Sequence, residues 1–216
     1  MNEIQKDFWF SQSRMKRRSP FHPAVAAFVE PKVKFLVKNI FPSPTMTLLD
    51  VGCGNGYFTC HLAKFFDVTG LDFSPVMLQK NPHKKLVQGD ANVLPFGDKS
   101  FDVVFCSDLL HHLPDPEKAV KEMTRVAKNF VAISEPNRNN PLMFLFGLLK
   151  KEERGSLKFT KKFLSKILAA QGLRLEKSLI SGMIFPNKTP RIMVPFFKIF
   201  DFNFPFGSYI TTISKR

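Results

Sequence analysis

The chain has no uninterrupted apolar run of about 18 residues, the length a membrane-crossing helix requires, so no spanning segment is expected. Residues 1–7 carry neither an apolar h-region nor a small-residue cleavage pattern, and so do not read as a secretory signal. Cysteine is scarce: Cys53, Cys60 and Cys106 are odd in number and lack metal-ligand spacing. Reduced structural thiols in a cytoplasmic protein, with no metal site, are the expectation. Tyrosine and tryptophan are nearly absent, with two and one respectively, which leaves few of the usual platforms for stacking nucleic-acid bases. Internal repeats and low-complexity tracts are also missing.

Acidic residues are in deficit. The net charge is +14, which raises nucleic acid and anionic membrane as partners. Residues 118–174 hold 13 Lys or Arg against four Glu, and Arg14, Lys16, Arg17 and Arg18 form a second basic cluster. No RNA-binding signature accompanies either, so a solvated basic surface or peripheral contact with anionic lipid is expected ahead of RNA. At 216 residues with 44% hydrophobic content, the chain is long enough for one domain with a three-layer α/β core.

Residues 1–44 read as a helical segment ahead of the core, with a helix over 23–39 carrying Val25, Phe28, Val33, Leu36 and Val37 and with Pro31 as a candidate interruption. From residue 45 strand and helix patterns alternate, which implies right-handed crossovers and a parallel sheet. Strands are expected over 45–51, 68–72, 85–88, 101–106 and 130–134, and again over 173–180 and 208–214. Pro116 opens a helix over 117–128, and Thr160 caps another that Gly172 stops. Two stretches exceed a plain connection: 137–159, with an apolar run from Leu142 to Leu149, and 185–206, with seven phenylalanines. Both are read as extra packing on the sheet or as lid and substrate-wall insertions.

The strand ends carry the chemistry. Residues 48–56 read Leu-Leu-Asp-Val-Gly-Cys-Gly-Asn-Gly, a turn whose Gly52, Gly54 and Gly56 let backbone approach a ligand with no Cβ in the way. The spacing is G-x-G-x-G, not the G-x-G-x-x-G that places a pyrophosphate on a helix N-terminus. The second strand ends at Asp72, 20 residues beyond Gly52, where a carboxylate can accept both hydroxyls of a ribose. The third runs into Gly89-Asp90-Ala91 and the fourth into Ser107-Asp108-Leu109-Leu110-His111-His112.

Together these four motifs resemble the class I S-adenosylmethionine-dependent methyltransferases, in particular the small-molecule branch with a D-V-G-C-G-x-G turn. The resemblance covers about residues 45–136. It implies a three-layer, doubly wound, Rossmann-like domain over 1–216. The seven-stranded sheet would be mostly parallel, with an antiparallel last strand, in the order 3-2-1-4-5-7-6. S-adenosyl-L-methionine is the implied cofactor. Gly52, Cys53 and Gly54 would line its methionine arm, with Asp50 near its amino group and Ser107 touching the arm through its backbone. Asp72 would hold the ribose, Phe73 would pack on adenine, and Asp90 with Ala91 would meet the adenine amino edge. Arg14 or Arg18 is a candidate for the cofactor carboxylate. The chain departs from the family where Ala127-Lys128-Asn129-Phe130 replaces a K-P-G-G turn, and where Pro82 shortens the helix after Asp72.

Methyl transfer to an activated carbon needs no metal and no covalent intermediate; positioning alone supplies on the order of 7–11 kcal/mol. Where the acceptor must lose a proton, His112 is the candidate base, since imidazole titrates near neutrality. Glu135 is a second candidate substrate contact, and His111 is expected to face inward or cap the turn. The N/D-P-P-Y/F clamp of nucleic-acid amine methyltransferases is absent, as is a Pro-Cys or Thr-Cys nucleophile. The expected acceptor is therefore a small, hydrophobic or lipid-like molecule. The alternatives are an RNA or protein methyltransferase using the basic face, and a non-catalytic cofactor-binding module. The residues leave the acceptor atom and the oligomeric state open.

Overall fold

The computed structural model describes residues 17–216. Arg14 and Lys16 therefore lie outside the described residues. Seven strands form one sheet in the order β3-β2-β1-β4-β5-β7-β6: β1 (Thr47–Val51), β2 (Asp67–Asp72), β3 (Leu86–Gln88), β4 (Phe101–Ser107), β5 (Ala127–Pro136), β6 (Arg174–Ser181) and β7 (Tyr209–Lys215). The pairs among β1 to β5 are parallel, and β7 inserts antiparallel between β5 and β6. Order and strand directions are those the motif resemblance implies.

Among the described residues seven helices complete the layers: α1 (Pro23–Ile40), α2 (Thr59–Leu62), α3 (Pro75–Gln79), α4 (Pro116–Val126), α5 (Pro141–Leu149), α6 (Lys161–Ala170) and α7 (Val194–Lys198). Four of them start with one local device. His22, Ser74, Asp115 and Asn140 each accept a backbone N–H of the first turn, and a proline follows each cap. The ring fixes φ where the missing N–H costs nothing. Pro31 does not break α1, which is continuous from Pro23 to Ile40. The lost hydrogen bond is offset by a face from Ala24 to Leu36 packed on the sheet.

Alternation along the strands fills two cores. Leu49, Val51, Val104, Cys106, Val131 and Ile133 point to one side, against α4 and α6. Leu48, Val68, Val103, Phe105 and Ala132 point to the other, against α1 and α2. Both faces are dry, as a parallel sheet demands. The replaced K-P-G-G turn has a structural outcome: α4 passes directly into β5. Phe101 pairs with Ala127 and Val103 with Phe130, so the extra residues are absorbed as a register shift.

The two long segments become ordered elements. Residues 137–159 hold α5 and a 3₁₀ segment, Lys151–Lys158. Within 185–206 lie a 3₁₀ turn, Arg191–Met193, and α7. Among the described residues no helix is long and apolar enough to cross a membrane.

Candidate functional site

Chain order reverses between β1 and β4, and the crevice beyond their carboxyl ends is where an open α/β sheet receives its ligand. The β1 turn is shaped by backbone alone. Gly52 and Cys53 both donate to the Leu71 carbonyl, at 2.7 and 3.0 Å. Gly52 has φ +74°, and a Cβ there would lie 2.9 Å from the Leu109 side chain. Glycine is therefore required twice over, by conformation and by space.

Two clefts meet at this turn. The first, of about 620 Å³, is walled by Gly52, Leu71, Asp72, Phe73, Ser74, Gly89, Asp90, Ala91, Asp108, Leu109 and Leu113. It combines apolar walls with three carboxylates. The second, of about 470 Å³, is polar and holds Arg17, Asp50, Gly52, Cys53, Asn55, Tyr57, Ser107 and Asp108, closed by Phe28 and Phe58. Gly52 and Asp108 belong to both.

The sequence-predicted residues divide between the clefts. Asp72, Phe73, Asp90 and Ala91 wall the first, and Asp50, Cys53 and Ser107 the second, with Gly52 in both. Gly54 walls neither; its N–H is donated to Asp72 Oδ2 at 2.8 Å, while Ser74 N–H is donated to Asp72 Oδ1 at 2.8 Å. Two amides thus aim the carboxylate, which burial nevertheless pushes above the usual range. Asp90 Oδ1 accepts from the Asn92 amide N–H and side chain, both at 2.9 Å. Asp50 is buried, accepts from Thr59 Oγ1 at 2.7 Å, and is pushed up to about 7 by burial.

Arg18 does not face the crevice. Its guanidinium donates to the Pro186 and Thr189 carbonyls at 2.9 and 2.7 Å. Arg17, its neighbour in the same basic cluster, is the cation of the polar cleft, beside Tyr57, Asp108 and Asp72. The cluster was visible in sequence; which member turns inward was not.

His111 and His112 lie in a 3₁₀ turn, Leu110–His112, capped by the segment Lys151–Lys158. His111 Nδ1 pairs with Glu135 Oε2 at 2.5 Å, and its Nε2 lies 3.3 Å from Glu153 Oε2. Burial disfavours the imidazolium, but the two carboxylates outweigh it and raise His111 to about 10. Glu135 Oε1 also accepts from the Leu109 and Leu110 amides, at 3.0 and 2.8 Å. Glu135 therefore anchors the turn from inside the fold. His112 is buried with its ring 3.9 Å from that of His111, and it is not among the walls of either cleft. Burial and the His111 cation hold it well below the ordinary imidazole value. His111, His112 and Glu153 bring potential ligand atoms within 4.8 Å of one another. A metal there would have to displace the proton that His111 shares with Glu153.

Asp108 is the residue that sequence reading passed over. Its backbone is left-handed, at φ +51°, unusual for a side-chain-bearing residue. Tyr209 OH donates to its Oδ1 at 2.9 Å. Burial raises its pKa above the usual carboxylate range. Its position directly after Ser107 was the only available signal.

Residues 49–130 match the family model described as "Methyltransferase domain". With the strand-end motifs and the sheet order, this segment, about two fifths of the chain, is similar to the class I S-adenosylmethionine-dependent methyltransferases, a family whose cofactor is S-adenosylmethionine. Among its relatives is the demethylmenaquinone methyltransferase of Desulfitobacterium hafniense, 39% identical over 109 residues, covering 44% of this chain and 43% of that protein. The enzyme of the same name from Staphylococcus aureus is 41% identical over 117 residues, covering 48% of each. The match thus spans about half the length of these relatives. Two solved structures share the fold. One is an S-adenosylmethionine-dependent methyltransferase of Thermotoga maritima, with TM-score 0.69, 18% identity, and coverage of 98% and 95%. The other is magnesium protoporphyrin IX methyltransferase of Synechocystis with bound S-adenosylhomocysteine, with TM-score 0.58, 19% identity, and coverage of 100% and 88%.

The chain's own donors suit that cofactor. An apolar cleft with aimed carboxylates complements an adenosine. A polar cleft with the Arg17 guanidinium and the carboxylates Asp50 and Asp108 complements an amino-acid zwitterion. An acid whose pKa burial has raised, as for Asp50, stands to gain from an incoming ammonium group.

Proposed function

We propose that this chain transfers a methyl group from S-adenosylmethionine to a small, lipid-like acceptor of the quinone class. The observation that carries the reading is the junction of the adenosine-shaped cleft with the charged cleft at Gly52 and Asp108. The acceptor class is supported by the naming of the relatives as demethylmenaquinone methyltransferases and by the apolar segments beyond the matched domain.

The cofactor supplies an activated methyl group on a sulfonium. The protein's part is to hold and orient. Asp72 takes the ribose hydroxyls, Asp90 and Ala91 the adenine edge, and Phe73 its face. Arg17 takes the carboxylate, and Asp50 the amino group. Asp108, common to both clefts and steadied by Tyr209, is placed to accept a proton when the acceptor must lose one. His112, buried away from the cleft walls, shapes the turn instead.

The test is incubation with methyl-labelled cofactor and three acceptor pools: a demethylated quinol extract, bulk RNA and bulk protein. Label in the quinol fraction is expected. Label in RNA or protein would transfer the assignment to those acceptors. Tight cofactor binding with label in none of the three would favour a non-catalytic module.

A further inference from the structure

The exposed apolar residues of this chain are not scattered. Among the described residues, eleven of the sixteen exposed large hydrophobic side chains lie in two segments, α5 and residues 192–206. Helix α5 reads Pro-Leu-Met-Phe-Leu-Phe-Gly-Leu-Leu without a charge, yet only Met143 and Gly147 are buried. Leu145 is 52% exposed and Leu149 72%, while across the band Phe196 is 58% and Ile192 87%. Such a concentration marks an interaction surface.

The two segments are physically joined. Asn140, the cap of α5, donates to the Phe206 carbonyl at 2.6 Å, and Lys188 Nζ sits 4.9 Å above the Phe146 ring. A file of rings then runs from Phe196 through Phe200 to Phe204 and Phe202, with centroids 6.2, 6.1 and 5.1 Å apart.

Exposed cations accompany this band: Lys150, Lys151 and Arg154 follow α5, and Lys188 and Arg191 precede α7. Of the nearby acids, Glu153 faces His111 and Asp201 is half-buried near Lys32. The inner edge reaches the site: Tyr57, a wall of the charged cleft, donates to Asn187 Oδ1 at 2.6 Å, next to Lys188.

We propose that this band is a peripheral docking surface for an anionic lipid bilayer. Leu145, Leu149, Ile192 and Phe196 enter the interface while the flanking lysines and arginines meet the head groups. An apolar rim with a cationic border complements a bilayer on both counts, whereas RNA would use the charges and leave the aliphatic side chains unsatisfied. Docking here would set the cleft mouth beside the phase in which an apolar acceptor dissolves. That last consequence rests on the methyl-transfer reading; the docking does not.

The test uses the full chain and sedimentation with vesicles of phosphatidylcholine alone or mixed with phosphatidylglycerol. Each head-group lysine contributes about fivefold in partitioning, so binding to mixed vesicles should exceed binding to neutral ones by tenfold or more and should fall with salt. Leu145→Asp with Phe196→Asp should lower it by about tenfold or more, with S-adenosylhomocysteine affinity and thermal midpoint unchanged. Absence of sedimentation with either vesicle would overturn the proposal, as would undiminished binding by the double variant. RNA retention without vesicle binding would reassign the charges. A concentration-dependent dimer dissolved by the same substitutions would give the face to a second copy of the chain. Because vesicle binding is read without turnover, its failure leaves the methyl-transfer assignment standing.

Discussion

Replacing Asp72 with Ala removes the carboxylate that accepts the Gly54 and Ser74 amides, both at 2.8 Å. Hydrogen bonds to a charged group are worth about 1.5–3 kcal/mol each. Desolvation, which raises the Asp72 pKa, offsets part of this, so the expected net loss of folding stability falls below that range, about 1–2 kcal/mol for the pair. A fall in cofactor affinity would then be ambiguous, since a loosened glycine turn and a lost ribose contact both weaken binding. A cycle separates them. S-adenosylhomocysteine and its 2′-deoxy analogue are titrated by calorimetry into the parent and the Asp72→Ala protein. If Asp72 accepts the ribose hydroxyl, removing that hydroxyl should cost the parent about 10- to 150-fold, corresponding to about 1.5–3 kcal/mol. The variant should lose almost nothing further. Equal losses in both proteins would show that Asp72 only braces the turn, and would refute its place in the cofactor site.

The His111–Glu135 pair predicts a pH signature. The folded value of His111, about 10, lies above its ordinary 6.5. Its stabilisation is therefore complete below pH 6.5 and disappears as pH rises through 10. Breaking a buried pair costs about 3–5 kcal/mol. The stability gap between the parent and His111→Gln, from urea denaturation, should be largest near pH 6 and close toward pH 10.5; a constant gap would argue against the pair. For turnover, Asp108→Asn should lower kcat by about 10²–10³-fold and remove the acidic limb of the pH–rate profile. His112→Gln should cost far less, because that ring walls neither cleft, and the reverse ranking would return the base role to His112.

Much of the architecture was legible in the residues themselves. Short apolar runs, a proline that opens a helix at position 116 and three glycines at a strand end are local features, written wherever backbone conformation is decided within a few positions. They placed every strand to within a few residues. The order 3-2-1-4-5-7-6 came with the motif resemblance, and a parallel sheet then forces the ends of β1 and β4 into one crevice. Asp50, Cys53, Asp72, Asp90 and Ser107 follow from that, since residues at strand ends go where the strands go.

The rest depended on contacts across long separations. Arg17 and Arg18 are neighbours of identical type, yet the 185–189 loop takes the guanidinium of Arg18 and leaves Arg17 to the cleft. His111 and His112 differ in role because Glu135 and Glu153, 24 and 42 positions away, hold one ring as a cation, which depresses its neighbour. Asp108 acquires its place only when Tyr209, 101 residues on, returns antiparallel beside β5. Local sequence settles conformation, since its determinants are steric and adjacent. Charge state and exposure belong to the packed chain, where a side chain's energy is set by whichever distant group displaces its water.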